Sequence, residues 1–157
     1  MNIIEIETMI NHMLGNITLS IIKPDAVQKG YVIPILYKIV HAGFHIIAIK
    51  MIKLSKKSAT NFYTEHKKKL FFESLVNFMS SGPIISLILE KKNAVKDFRI
   101  LIGETNPIHA KKGTIRNLYA TSLKENAIHG SDSNKNAIKE CSFYFSNKEI
   151  FFKKICN

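Results

Sequence analysis

Three short apolar runs, each bounded by turn or cap residues, constrain this chain more than any other feature. Ile17–Ile22 is rich in β-branched residues and stops at Lys23-Pro24-Asp25, which reads as a strand ending in a turn. Residues 44–54 alternate loosely, with Ile46, Ala48 and Lys50 set against Ile47, Ile49 and Met51, and predict a second strand. The third run is Pro83–Glu90, strongly apolar. Helical spacing fills the gaps between them. Pro34 suits a first turn, Ile35, Leu36, Ile39 and Val40 form an apolar stripe, and Gly43 supplies the stop. Ser55 caps a predicted helix over 55–66, and Phe72, Leu75, Val76 and Met79 mark another that ends at Gly82. A further helix is expected over about 93–102. Residues 103–128 read as loop around a short helical piece at 115–121. The polar stretch His129-Gly130-Ser131-Asp132-Ser133 then precedes a helix with Ile138, Cys141 and Phe145 on one face.

The order β-α-β-α-α-β-α, with no glycine-rich loop from strand to helix, argues against a doubly wound nucleotide fold. It suits an α+β sandwich with helices over a mainly antiparallel sheet, the split βαβ pattern among its forms. At 157 residues and 46% hydrophobic content the chain is sized for one domain, expected over 15–157, with 1–14 as an N-terminal extension or a misread start before Met9 or Met13. No apolar run reaches membrane-spanning length; 31–54 is broken by Lys38, His41, His45, Lys50 and Lys53. Residues 1–14 carry Glu5 and Glu7 and no basic cluster, unlike a secretory signal. Two cysteines make no disulfide scaffold or metal motif, so a soluble, cytoplasmic protein is expected.

The net charge of +11 attracts phosphates or polyanions. Of the 23 basic residues only Arg99 and Arg116 are arginine, and the lysine doublets are scattered along the chain. With abundant Ile and Asn, this favours drift towards AT-rich codons over a nucleic-acid footprint. The two arginines then gain weight, because a planar bidentate guanidinium does what lysine cannot. There is no Walker-A or kinase-type glycine loop, so side chains such as Lys23, Arg99, Thr105 and Arg116 would have to hold any phosphate. His129 is the most pointed residue. A neutral imidazole can accept a phosphoryl group if its other nitrogen donates to a fixed partner, for which Glu140 is a candidate and Ser131 a relay. The same pentapeptide reads equally as a turn with a helix cap at Ser131 or Ser133.

Taken together, the motifs tip that balance. Asn126-Ala127-Ile128-His129-Gly130-Ser131-Asp132-Ser133 resembles the active-site signature of nucleoside diphosphate kinases. Thr18-Leu19-Ser20-Ile21-Ile22-Lys23-Pro24-Asp25-Ala26-Val27 resembles that family's first strand and lysine. Phe62-Tyr63, Phe71-Phe72, Ser81-Gly82-Pro83, Gly103-Glu104-Thr105-Asn106-Pro107 and Gly113-Thr114-Ile115-Arg116 recur in the family's order, so the likeness spans residues 18–150. The resemblance implies a ferredoxin-like α+β fold with a four-stranded, mainly antiparallel sheet. It also implies ping-pong transfer of a γ-phosphate from a nucleoside triphosphate, typically ATP, to a nucleoside diphosphate through phosphohistidine.

On that resemblance His129 is the nucleophile, Glu140 holds its ring and Ser131 hydrogen-bonds the carboxylate. Arg99, Thr105 and Arg116 grip the phosphates, with Tyr63 positioning the reacting end. Lys23 and Asn126 bind the sugar hydroxyls and bridging oxygens. Phe71 stacks on the base against Leu123, which would accept any base because every base has a π face. Mg²⁺ is the implied cofactor, with Glu65 a water-mediated contact. A homotetramer or homohexamer is the implied assembly, with weak nucleic-acid binding and no membrane partner. The alternative is the same fold acting mainly as a basic nucleic-acid-binding protein with weak or lost catalysis.

Departures from the pattern are few. Lys69-Leu70 stand where the family usually has Arg-Pro, predicting a looser loop before Phe71. Asn117-Leu118-Tyr119 lack a usual acidic residue after Arg116, removing a hydrogen-bond acceptor. Lys91 and Lys92 replace a commonly glycine-containing turn. None falls on an assigned catalytic position, and the expectation is an active but softened enzyme.

Overall fold

The computed structural model describes residues 15–152; the expectations for 1–14 lie outside them. Four strands, β1 (Ile17–Ile22), β2 (His45–Lys53), β3 (Pro83–Glu90) and β4 (Ile128–Gly130), form one sheet in the order β2-β3-β1-β4. Every pairing is antiparallel. The helices are α1 (Pro24–Gln28), α2 (Val32–His41), α3 (Lys56–Phe62), α4 (Phe72–Met79), α5 (Ala94–Ile102), α6 (Ile115–Tyr119) and α7 (Asn134–Tyr144). This is a four-stranded antiparallel sheet with helices, the ferredoxin-like α+β fold.

The central strand β1 is buried along its whole length, as an apolar run covered on both faces must be. Two apolar clusters flank the sheet. One gathers Leu19, Ile21, Ile88 and Met79 with Cys141 and Tyr144 of α7, the other Ile22, Leu87, Ile35 and Ile39 with Phe98 of α5. Burial pushes the Cys141 thiol up to about 12, as expected for an inert, packed sulfhydryl.

Several sequence readings are corrected. The stretch beginning at His129 reads as polar turn, yet Ile128–Gly130 is the edge strand β4, with His129 opposite Ile21. Three residues are too few for a periodic signal; pairing with β1 makes them a strand. Lys23-Pro24-Asp25 does not simply turn but opens α1, with Pro24 at its first position. In β2 the register shifts between Ile46 and Ala48, so Ile47 and Ala48 are both buried and the alternation breaks. The helix capped by Ser55 stops at Phe62 and continues only as a 3₁₀ turn, Thr64–His66. The buried face of α7 is Ala137, Cys141 and Tyr144, one residue off the predicted stripe, with Phe145 buried just beyond it. Val40 is exposed rather than part of the α2 stripe.

One lysine of the Lys91-Lys92 pair is accounted for by the fold. Lys91 donates to Ala42 O, pairs with Asp97 at 2.8 Å and lies over the Phe44 ring. The glycine-like backbone of that turn falls to Asn93, at φ 57°, a residue type that tolerates the left-handed region. After Arg116, Asn117 Oδ1 accepts from the Gly113 amide at 3.1 Å.

Candidate active site

His129 reaches the site because β4 is hydrogen-bonded to the fully buried β1, and because Gly130 has no side chain. A Cβ on Gly130 would lie 2.7 Å from Phe98, so only glycine lets β4 seat on α5. The segment before it is held under strain. Ala127 stands at φ 65°, and Ile128 N donates to Asn126 O at 2.7 Å, closing a γ-turn. Surrounding bonds fix that turn. Lys23 N donates to Ala127 O at 2.9 Å, and Ala127 N donates to Asp25 Oδ2 at 3.1 Å. Asp25 is a supporting residue that sequence reasoning missed; its signal was only its place after Lys23-Pro24.

The imidazole is locked from one side. His129 Nε2 lies 3.1 Å from Glu140 Oε2, and Ser131 Oγ donates to the same oxygen at 2.5 Å. Ser131 Oγ in turn accepts from Leu19 N of β1 at 3.1 Å. A carboxylate only accepts, so Nε2 carries the hydrogen and Nδ1 keeps its lone pair. Ser133, meanwhile, caps α7 by accepting from Asn136 N at 3.2 Å. The hydrogen bond to Glu140 and the helix cap are therefore both present, on different serines. Phe62 packs edge-on to the His129 ring at 5.7 Å.

A cavity of about 660 Å³ opens beside His129. Lys23, Tyr63, Arg99, Thr105, Arg116 and Asn126 all line it, and so do Phe71, Leu123, Glu65, His129 and Glu140. Every predicted site residue except the fully buried Ser131 thus faces one space. Lys23 Nζ donates to Asn126 Oδ1 at 2.6 Å, and Asn126 Nδ2 donates to Thr105 O at 3.2 Å. Burial first, and the Arg116 charge second, lower the Lys23 ammonium to about 8, against the pull of Asp25. Arg116 is partly committed to the backbone, donating to Gly103 O at 2.9 Å and Ile128 O at 3.0 Å. Its Nε is buried without a protein partner. Burial and then Arg99 lower the guanidinium to about 10. Tyr63 Oη is likewise buried without a protein acceptor, and burial pushes the phenol well above its usual range. It stays a donor at any working pH.

At the other end of the cavity the walls are open. Phe71 is 54% exposed and Leu123 62%. Leu70, in the Lys69-Leu70 departure, is fully exposed, although Lys69 N and Phe72 N close successive turns onto His66 O and Lys69 O. Glu65 pairs with Lys139 at 2.7 Å, so its carboxylate is already engaged. Among the described residues no group of three or more His, Cys, Asp or Glu could hold a metal ion. Nor is any described helix long and apolar enough to cross a membrane.

Known proteins resemble this chain over most of its length. A family model described as nucleoside diphosphate kinase matches residues 16–150. The nucleoside diphosphate kinase of Flavobacterium psychrophilum is 51% identical over 139 residues, covering 88% of this chain and all of the relative. That of Chloroherpeton thalassium is 53% identical over 132 residues, 84% of this chain and 94% of the relative. Among solved structures, the Aquifex aeolicus enzyme superimposes with a TM-score of 0.84 at 42% identity, covering 86% of this chain and 98% of its own. A Halobacterium salinarum nucleoside diphosphate kinase in complex with CDP gives 0.86 at 31% identity, covering 90% and 95%.

Proposed function

The chain belongs to the nucleoside diphosphate kinase family, a family of phosphotransferases, and from that premise we propose that His129 carries the phosphoryl group at Nδ1. Nucleotide phosphate transfer is its activity, nucleotides are its substrates and a divalent cation is required; family membership does not favour a purely nucleic-acid-binding role. The observation that carries the His129 assignment is the fixed tautomer. Glu140 and Ser131 occupy the Nε2 side, so the lone pair on Nδ1 is the nucleophile.

In the first half-reaction Nδ1 attacks the γ-phosphorus of a nucleoside triphosphate, typically ATP. The N–P bond forms as the bond to the β–γ bridging oxygen breaks, and the nucleoside diphosphate leaves with that oxygen. A second diphosphate then attacks the phosphohistidine with a terminal β-oxygen, and the N–P bond breaks to return neutral His129. Little covalent rearrangement is asked of the protein, so positioning and charge do the work. Glu140 steadies the positive charge that the ring gains. Arg99, Thr105 and the uncommitted donors of Arg116 hold the phosphates, and Tyr63 donates to the reacting end. Lys23 and Asn126 hold the sugar and bridging oxygens, and Phe71 and Leu123 enclose the base. The absence of a carboxylate cage among the described residues fits a cation, Mg²⁺ in this reading, that arrives on the nucleotide's phosphates, with Glu65 no more than a water-mediated contact. When bound, the ion neutralises part of the phosphate charge.

Assembly is proposed on the same footing. Exposed Ile33, Tyr37 and Val40 on α2, and Ile49 and Met51 on the edge strand β2, support a homo-oligomer, tetrameric or hexameric. The site is tested by labelling with ATP carrying a radioactive γ-phosphate and Mg²⁺. Wild type should gain an alkali-stable, acid-labile label that GDP discharges, and His129→Asn none, with turnover reduced at least about 10⁴-fold. An unlabelled but folded, nucleotide-binding wild type would refute the assignment.

A further inference from the structure

The cavity has a direction. Ring contacts run from His129 to Tyr63 at 6.5 Å, from Tyr63 to His66 at 6.3 Å, and from His66 to Phe71 at 5.9 Å. Phe71 therefore marks the end remote from the chemistry, and the base of a bound nucleotide lies there if the reading above holds. Phe71 and Leu123 offer only apolar faces. Next to Leu123, however, Lys124 also lines the cavity, and its Nζ lies 3.4 Å from Ser74 Oγ on α4. That contact joins two elements 50 residues apart in sequence, across the open end of the cavity. The neighbouring acid does not neutralise it. Glu125 Oε2 accepts from Thr121 Oγ1 at 3.1 Å and lies 3.7 Å from Lys29.

An ammonium has three donors and no acceptor. Guanine presents the acceptors O6 and N7 side by side, and uracil and thymine present O4; adenine keeps N7 but carries an amino donor at position 6, and cytosine an amino donor at position 4. A lysine at the base end rewards the first group more than the second, through the keto oxygen. We propose that Lys124, steadied by the Ser74 hydroxyl, is a specificity-determining residue that skews this otherwise permissive site towards keto bases, guanine and uracil or thymine. The inference rests on the reading of Phe71 and Leu123 as the base slot. Because Lys124 is exposed, the bias is modest, about threefold to fivefold in kcat/KM.

The test compares GDP, UDP, ADP and CDP as acceptors for a fixed donor, using wild type, Lys124→Met and Lys124→Glu at low salt. Wild type should prefer GDP and UDP. Lys124→Met, which keeps the apolar stem, should level the four, and Lys124→Glu, an acceptor, should turn the preference towards ADP and CDP. An unchanged ratio in Lys124→Met would overturn the proposal, as would an equal loss with all four, which would mark Lys124 as a general electrostatic aid. Failure of the underlying reading looks different: Phe71→Ala would then leave KM unaltered for every acceptor, whatever Lys124 does.

Discussion

Ser131, Glu140 and His129 stand on elements tied to the middle of the sheet, whereas Phe71, Leu123 and Lys124 stand on connections at its margin. Ser131 is fully buried and bonded to the amide of β1; Leu123 is 62% exposed on a loop. The difference follows what each end must do. If His129 is the nucleophile as proposed, little error in its position is tolerated, and a chain of hydrogen bonds rooted in the buried strand β1 holds it. In the proposed reading the base meets the two apolar faces of Phe71 and Leu123, and an open slot supplies them.

That contrast can be broken by changing one end at a time. At the fixed end, Ser131→Ala removes a hydrogen bond to a charged carboxylate and leaves Leu19 N without its acceptor. We expect kcat to fall about tenfold to thirtyfold with KM unchanged, measured in steady-state turnover. A raised KM with kcat intact would show that the relay serves binding instead.

Between the two ends lies Lys23, whose ammonium is held to about 8 by burial first and Arg116 second. Its charge, proposed to serve the sugar and bridging oxygens, is lost above that pH. The free-enzyme profile of kcat/KM should therefore descend about tenfold per pH unit beyond 8. Its effect on folding has the opposite sign. From about 8 to 10.5 the unfolded chain binds the extra proton, so Lys23's contribution to stability rises with pH across that window. Activity and stability moving in opposite directions, with the Lys23 effect on stability absent in Lys23→Met, would identify this residue.

At the open end, Phe71→Ala should raise KM about fivefold to tenfold for all four diphosphates while leaving kcat nearly intact. A large loss in kcat would mean that the two ends are mechanically coupled. The smallest effects concern the turn after Arg116. Asn117→Ala should cost about 1 kcal/mol in denaturant unfolding, and Leu118→Asp should change stability by less than about 0.5 kcal/mol. Leu118 is itself 50% exposed, so the small effect expected of Leu118→Asp follows from its position at the surface. A Tm above about 45–65 °C would argue against softening altogether.

Much of this was readable beforehand because it is local. β1 and β3 run within the bounds that their apolar content predicts, and Ser55 caps α3 as its position suggests. What was not readable is long-range. β4 is three residues whose pairing partner lies about a hundred positions away, and nothing local to His129-Gly130 signals a strand. The bulge in β2 reflects pairing with β3, not β2's own composition. Asp25 looked like part of a turn, and only the folded chain brings its carboxylate to the Ala127 amide.

By itself, then, the sequence determined the α+β class, most of the element types and the candidate side chains that line the cavity, since periodicity and motif residues are written in consecutive positions. The tertiary structure alone decided which nitrogen of His129 faces Glu140 and which is left free for the proposed chemistry. That choice depends on Leu19, Ser131 and Glu140, from three parts of the chain, meeting at hydrogen-bond distance around one ring.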